Sequence, residues 1–267
     1  SCQSDAQLFS QPQFIDSSRG SFSSNYPPVF YAVNGTMASP DIQTSVVLMR
    51  LLNIIVFIGS FIALWLLVSA EKRKVIFWMW ATTVVPLGMF LIASNNPSSW
   101  AITGVGTAWF ALYGFFESQG KRSLLLGALF AVEVIIAAGS RGDAAIYTTL
   151  GSVAVMALTF SSSKQYLFRL LLPISAAIVS LGFYLSSQQS AVASTGLADS
   201  NLEVSERTPF GVFAINAVQL PELWVGAFGN WGLGWLDTKM PGLVWVTSAG
   251  IFVLLISLAS RYLSRRK

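Results

Sequence analysis

Two charged pairs in this sequence have the types and spacing for chemistry on a phosphate-bearing substrate. SRGD, residues 140–143, sets Arg141 two positions before Asp143. A guanidinium holds a phosphate through two parallel hydrogen bonds, and a neighbouring carboxylate can orient it. GNWGLGWLDTKMP, residues 229–241, sets Asp237 beside Lys239 in a stretch with three glycines. There a carboxylate can take the proton of an acceptor hydroxyl, and the ammonium can pair with it or with a phosphate. Trp235 offers a flat face on which a sugar or a lipid can stack. Each motif also has a structural reading. Arg141 and Asp143 would form a local ion pair worth about 0–1 kcal/mol, and Asp237 or Thr238 would cap a helix.

Five more residues carry the same pair of readings. Arg50 lies about one turn inside the first long apolar stretch, where it either snorkels to the headgroups or turns inward to bind a phosphate. Glu133 is an acid inside an apolar stretch. It is expected to line a cavity or to sit protonated against a neighbouring helix. Asn95 and Asn96 precede Pro97 and suit either a tight turn or contacts to sugar hydroxyls. Tyr26 opens YPP, whose prolines hold an extended entry to the membrane or place the ring on a substrate. The chain has no histidine and one cysteine, Cys2, which excludes Ser-His nucleophile systems, internal disulfides and His/Cys zinc sites. No metal ligand or cofactor is assigned, although clustered outer carboxylates could hold one divalent cation.

A lipid bilayer is what must position these residues. The chain is 54% hydrophobic and 10% charged, with a mean hydropathy of +0.62. A water-soluble protein of this length needs more charge to cover its surface. Several nearly uncharged stretches are long enough to cross as helices, and lipid offers the backbone no partners outside them. The alternating segments of a β-barrel are missing. The expected fold is therefore all-α, a polytopic transmembrane helical bundle of about seven spans. They fall at 45–69, 75–94, 100–116, 123–139, 144–160, 170–186 and 241–260.

The basic residues sort by side of these spans. Lys72, Arg73, Lys74, Lys121, Arg122, Lys164, Arg169, Arg261, Arg265, Arg266 and Lys267 share one face and make up eleven of the 16. Positive residues accumulate on the cytoplasmic side, so the C-terminus is expected in the cytoplasm and the N-terminal segment outside. The net charge of +4 follows from that sorting, and nucleic acid is not an expected partner. Residues 1–44 and 187–240 are then external, 45–186 form a six-helix core, and 241–267 are the last helix and its basic tail. Within the second external segment, 187–208 is polar, while 209–236 is apolar and aromatic and suits the membrane interface. Long outer segments over short inner loops place the work at the outer face. A chain that starts outside needs an upstream span, so the sequence is expected to lack its first helix.

NYPPVFYAVNG (25–35), RLLN (50–53), FLIASNNPSSWAI (90–102), SRGD (140–143) and GLGWLDTKMP (232–241) together resemble one family in order and spacing. It is the bacterial membrane-protein family catalogued as domain of unknown function 2142. The resemblance runs from residue 25 to about 245. That family is grouped with the C-type glycosyltransferases, polytopic enzymes that use polyprenyl-phosphate-linked sugars at the outer face. The resemblance implies a C-type glycosyltransferase-like fold in the bacterial plasma membrane. It also implies a polyprenyl-phosphate-linked sugar donor and a cell-envelope glycan or lipid as acceptor. Arg50, Arg141 and Lys239 would attract the carrier phosphate, and Asp237 and Asp143 would orient or deprotonate the acceptor. The family's decisive acid is expected in the first outer loop, upstream of Ser1; Asp5 and Asp16 stand in no matching motif. Two other classes compete. A transporter or flippase of envelope lipid or polysaccharide would show broken helices, for which Pro86 and Pro173 are the candidates. A non-catalytic scaffold would need none of these charges.

Overall fold

The computed structural model describes residues 26–187, 209–230 and 240–264. Among them every regular element is helical. In chain order these are α1 Val29–Gly35, α2 Ile42–Leu67, α3 Ala70–Thr83, α4 Pro86–Ile92, α5 Ser98–Glu117 and α6 Gly120–Ala138. They continue with α7 Gly142–Leu158, α8 Lys164–Arg169, α9 Leu171–Ser186, α10 Pro209–Val225 and α11 Gly242–Ser264. A π turn, Gly226–Asn230, follows α10.

Helix α2 begins where Asp41 accepts hydrogen bonds from the amides of Gln43 and Thr44 and from the Thr44 hydroxyl. Its 26 residues reach about 39 Å, enough to cross the hydrocarbon. Ser45, Asn53, Ser60 and Leu64 face inward, while Ile55, Ile58, Ile62 and Leu66 are exposed. Polar and small side chains inside, with branched apolar ones outside, mark a helix whose outer surface is solvated by lipid.

The hairpin of α5 and α6 is the centre of the bundle. Gly120 turns the chain between them at a φ of 61°, a conformation costly for any residue with a β-carbon. Gly104 lets the two helices touch: a β-carbon there would lie 2.7 Å from the Glu133 carbonyl and 2.8 Å from the Ala137 β-carbon. Further along, Gly114 receives the Leu126 side chain. Helices α2, α7 and α9 pack around this pair, and Trp80 of α3 lies on Gly106 of α5. Leu64, Ile76, Leu112, Leu126 and Phe130 fill the space between them.

Among the described residues, three stretches are long and apolar enough to cross a membrane alone: α2, Lys164–Ser186 (α8 with α9), and Gly242–Arg261 of α11. The expected span 75–94 is not one straight helix. Helices α3 and α4 are bent by 100° at their junction and pass the same test only as a pair. Pro86 has no N–H to donate and disfavours helical backbone before it, so Val84 and Val85 leave the helix and Pro86 starts the next. Pro173 stands in the first turn of α9, just past the junction with α8 at Leu170, and Lys164–Ser186 still runs as one span. Helices α5, α6 and α7 lie where three further spans were expected. They are shorter or more polar, because Thr103, Thr107, Glu133 and Thr148 turn inward to meet protein.

The apolar stretch expected at the interface contains α10 and the π turn. Gly229 has a φ of 105°, and Met240 packs against it, while Phe228 meets Phe252 of α11 edge-on at 5.2 Å. The π turn lies beside α4.

Charges separate to two ends of the bundle. At one, Lys72 pairs with Glu117, Arg73 donates to the Trp65 carbonyl, and Arg169 donates to the carbonyls of Phe115, Phe116 and Ser118. At the other stand Arg50, Arg141 and Asp143.

Candidate functional site

The site is assembled at the second end, where α6 stops and α7 starts. The Gly139 carbonyl, at the C-terminus of α6, accepts hydrogen bonds from Val29 at 2.9 Å and Phe30 at 3.4 Å. Helix α1 therefore follows directly on Pro28, where extended chain was expected, because its free first amides find the free carbonyl of α6. Gly139 is needed here, since a β-carbon would collide with Val29.

Arg141 follows in extended conformation and precedes the first turn of α7. Its Nε and Nη2 donate to the two Asp143 oxygens at 2.8 and 2.9 Å, and its Nη1 donates to the Ser98 hydroxyl at 2.9 Å. The bonds from Asp143, ahead of burial, which acts the other way, raise the arginine further above its ordinary pKa, so it stays charged. Of five N–H donors, two have no partner among the described residues. Tyr26 sets its ring 6.0 Å from the guanidinium carbon and 6.1 Å from the Tyr31 ring. The side chain of Arg141 is 27% exposed.

Residues 93–98 are gripped from two helices. Arg50 donates through Nε to the Ala93 carbonyl at 2.8 Å, and Asn53 donates to the Ser94 carbonyl at 2.8 Å. The Asn53 side-chain oxygen accepts from the Trp100 indole at 2.9 Å, and Ser99 donates to the Ile92 carbonyl. Asn96 accepts from the Ser98 amide, the turn-forming contact expected of it, and Asn95 reaches the sulfur of Met49. Ser98 then meets Arg141. Tyr26, Arg50, Asn95, Asn96, Arg141 and Asp143 thus share one end of the bundle.

Glu133 does not belong to that cluster. It lies about 9 Å along α6 from Gly139, is fully buried, and has the Ser60 side chain against its carboxyl group. Asp237, Lys239 and Trp235 lie outside the described residues. Two residues of the quoted motifs were passed over: Ser98, the Arg141 partner, and Asn53. An asparagine in an otherwise apolar span was the available signal, since such a residue turns toward protein.

A groove of about 700 Å³ opens beside this cluster, between α3, α5 and α7. Trp80, Ile102, Val105, Trp109 and Phe110 make its walls, and Arg141 and Asp143 stand at one end. Trp109 lies directly on Gly151 of α7, where a β-carbon would overlap the indole. The arrangement suits a molecule with an apolar chain and an anionic head. Among the described residues, no three His, Cys, Asp or Glu side chains gather to hold a metal ion. Both Asp143 oxygens accept hydrogen bonds from Arg141.

A family model described as "Predicted membrane protein (DUF2142)" matches residues 1–267. Searches among curated proteins and solved structures gave no match.

Proposed function

The chain belongs to the DUF2142 family of predicted membrane proteins, and from that premise we propose that it is a membrane glycosyltransferase. Its donor is a polyprenyl-phosphate-linked sugar, and its acceptor is a cell-envelope glycan or lipid. The observation that carries this reading is Arg141 at the end of an apolar groove, held by Asp143 and Ser98 with two N–H donors left unpaired among the described residues. Guanidinium and groove match the phosphate and the isoprenoid chain of such a donor. The charge asymmetry supports an outer-face position for this end in a bacterial plasma membrane.

In the reaction, an acceptor hydroxyl oxygen forms a bond to the anomeric carbon, and the bond from that carbon to the phosphate oxygen breaks. The electron pair leaves on the polyprenyl phosphate, whose charge Arg141 stabilises with help from Arg50 and Lys239. Asp143 positions Arg141, and Asp237 takes the hydroxyl proton. Asn95, Asn96, Tyr26 and Trp235 are contacts for the sugar. The test is binding of a short-chain polyprenyl phosphate by the full chain in detergent, together with transfer from its sugar-linked form. Arg141→Ala should weaken binding by about 10- to 100-fold, the loss of one charge-assisted contact. Asp237→Asn should abolish transfer while leaving binding intact. Equal binding by wild type and Arg141→Ala would refute the assignment.

The break at Pro86 favours a second reading, a flippase for the same lipid, because discontinuous helices accompany transport sites. Movement of unmodified lipid-linked sugar across vesicles, lost in Pro86→Ala while transfer in detergent persists, would select it.

A further inference from the structure

Deep in the bundle, polar side chains from three helices meet without a charge to balance them. Glu133 of α6 is 1% exposed and Thr107 of α5 is 0% exposed, and among the described residues neither Glu133 Oε2 nor Thr107 Oγ1 has a hydrogen-bond partner. Packing sets the two opposite each other. Helices α5 and α6 run antiparallel, with Gly104 against Glu133 and Ala137 and Gly114 against Leu126, a register that places Thr107 across from Glu133. Ser60 of α2 reaches the same level and meets the carboxyl group. The bond between Asn53 and Trp100 aligns α2 with α5, and Ser60 and Thr107 each lie seven residues further on.

A bare carboxylate here would lose its hydration with nothing in return. An ion pair needs a cation, and among the described residues no lysine or arginine is buried on α2, α5, α7 or α9, helices packed against α6. A hard metal cation needs about six oxygens. The site has two carboxylate oxygens and two hydroxyls, and among the described residues no second acid joins it. A proton needs one acceptor, and Thr107 supplies it.

We infer that Glu133 is a proton-binding site inside the membrane. The neutral acid carries its proton on Oε2 and donates it to Thr107 Oγ1 through one trapped water, with the Ser60 side chain beside the carboxyl group. One proton accounts for both unpartnered oxygens. Its occupancy is linked to the packing of α2, α5 and α6, whose ends carry Arg50, Asn53, Ser98 and the turn to Arg141. The linkage holds whichever substrate the groove takes.

The experiment is infrared spectroscopy of the full chain in lipid nanodiscs at neutral pH, in H₂O and in D₂O. Wild type should show the C=O band of a protonated carboxylic acid, shifted in D₂O and missing from Glu133→Gln. Thr107→Val, nearly the same size as the native residue, should move that band by removing its acceptor. Glu133→Gln should melt close to wild type, since a carboxamide donates and accepts in the same two places. Carboxylate bands alone in wild type would overturn the inference, as would an unmoved band in Thr107→Val. A melting temperature that rises with Na⁺ or K⁺ in wild type and not in Glu133→Gln would also overturn it, by making this a cation site.

Discussion

Asn53→Leu isolates the clamp that holds residues 93–98 under Arg141. Asn53 is 0% exposed, donates to the Ser94 carbonyl at 2.8 Å and accepts from the Trp100 indole at 2.9 Å. Leucine fills nearly the same space but leaves that carbonyl and that N–H buried without partners. Each orphaned group costs about 1–3 kcal/mol, so the substitution should destabilise by about 2–4 kcal/mol after some relaxation. Trp100→Phe keeps the edge-on contact with Phe30 but removes the donor together with the five-membered ring, costing about 2–3 kcal/mol. In the double variant the indole N–H is no longer present to be stranded, so its cost should fall short of the sum by about 1–2 kcal/mol. Unfolding in detergent, followed by helical circular dichroism across the four proteins, measures the cycle. A loss below about 0.5 kcal/mol for Asn53→Leu, or a coupling indistinguishable from zero, would refute the clamp.

Gly104→Val should destabilise by about 3 kcal/mol or more, since even its β-carbon meets backbone of α6 that cannot swing aside; the same unfolding assay reads it. Arg169→Ala should cost about 1–2 kcal/mol, because the carbonyls of Phe115, Phe116 and Ser118 lose a charged donor at the end of α5, and Arg169→Lys should recover only part. The Thr44 hydroxyl, with the Gln43 and Thr44 amides, holds the Asp41 carboxyl below its usual range. The contribution of that cap is complete above about pH 4 and is lost as the pH falls through the lowered value. Hydrogen exchange at Gln43 and Thr44, corrected for intrinsic rates, should accelerate on acidification in wild type and be fast at every pH in Asp41→Ala.

The amino-acid sequence alone determined the class of the molecule. Uncharged stretches long enough to cross lipid can only be helices, and the one-sided lysines and arginines match the charged end built by Lys72, Arg73 and Arg169. It also singled out Arg141 with Asp143, because a guanidinium two residues from a carboxylate can pair with it wherever the chain between them is extended or turning rather than helical. Pro86 marked a possible break, yet its 100° bend depends on where α4 finds packing against α5.

Tertiary structure decided the rest. Ser98 is 43 residues from Arg141, and Asn53 is 47 from Trp100; no local pattern encodes such partners. Ser98 and Arg141 become neighbours because Gly104 and Gly114 allow α5 and α6 to approach more closely than side chains would permit. Glu133 shows the division most plainly. Its charge type and its apolar surroundings were visible along the chain, whereas Thr107 and Ser60 reach its level only through the register of three packed helices. Hydropathy is a property of a segment, while a hydrogen-bond partner is a property of an interface.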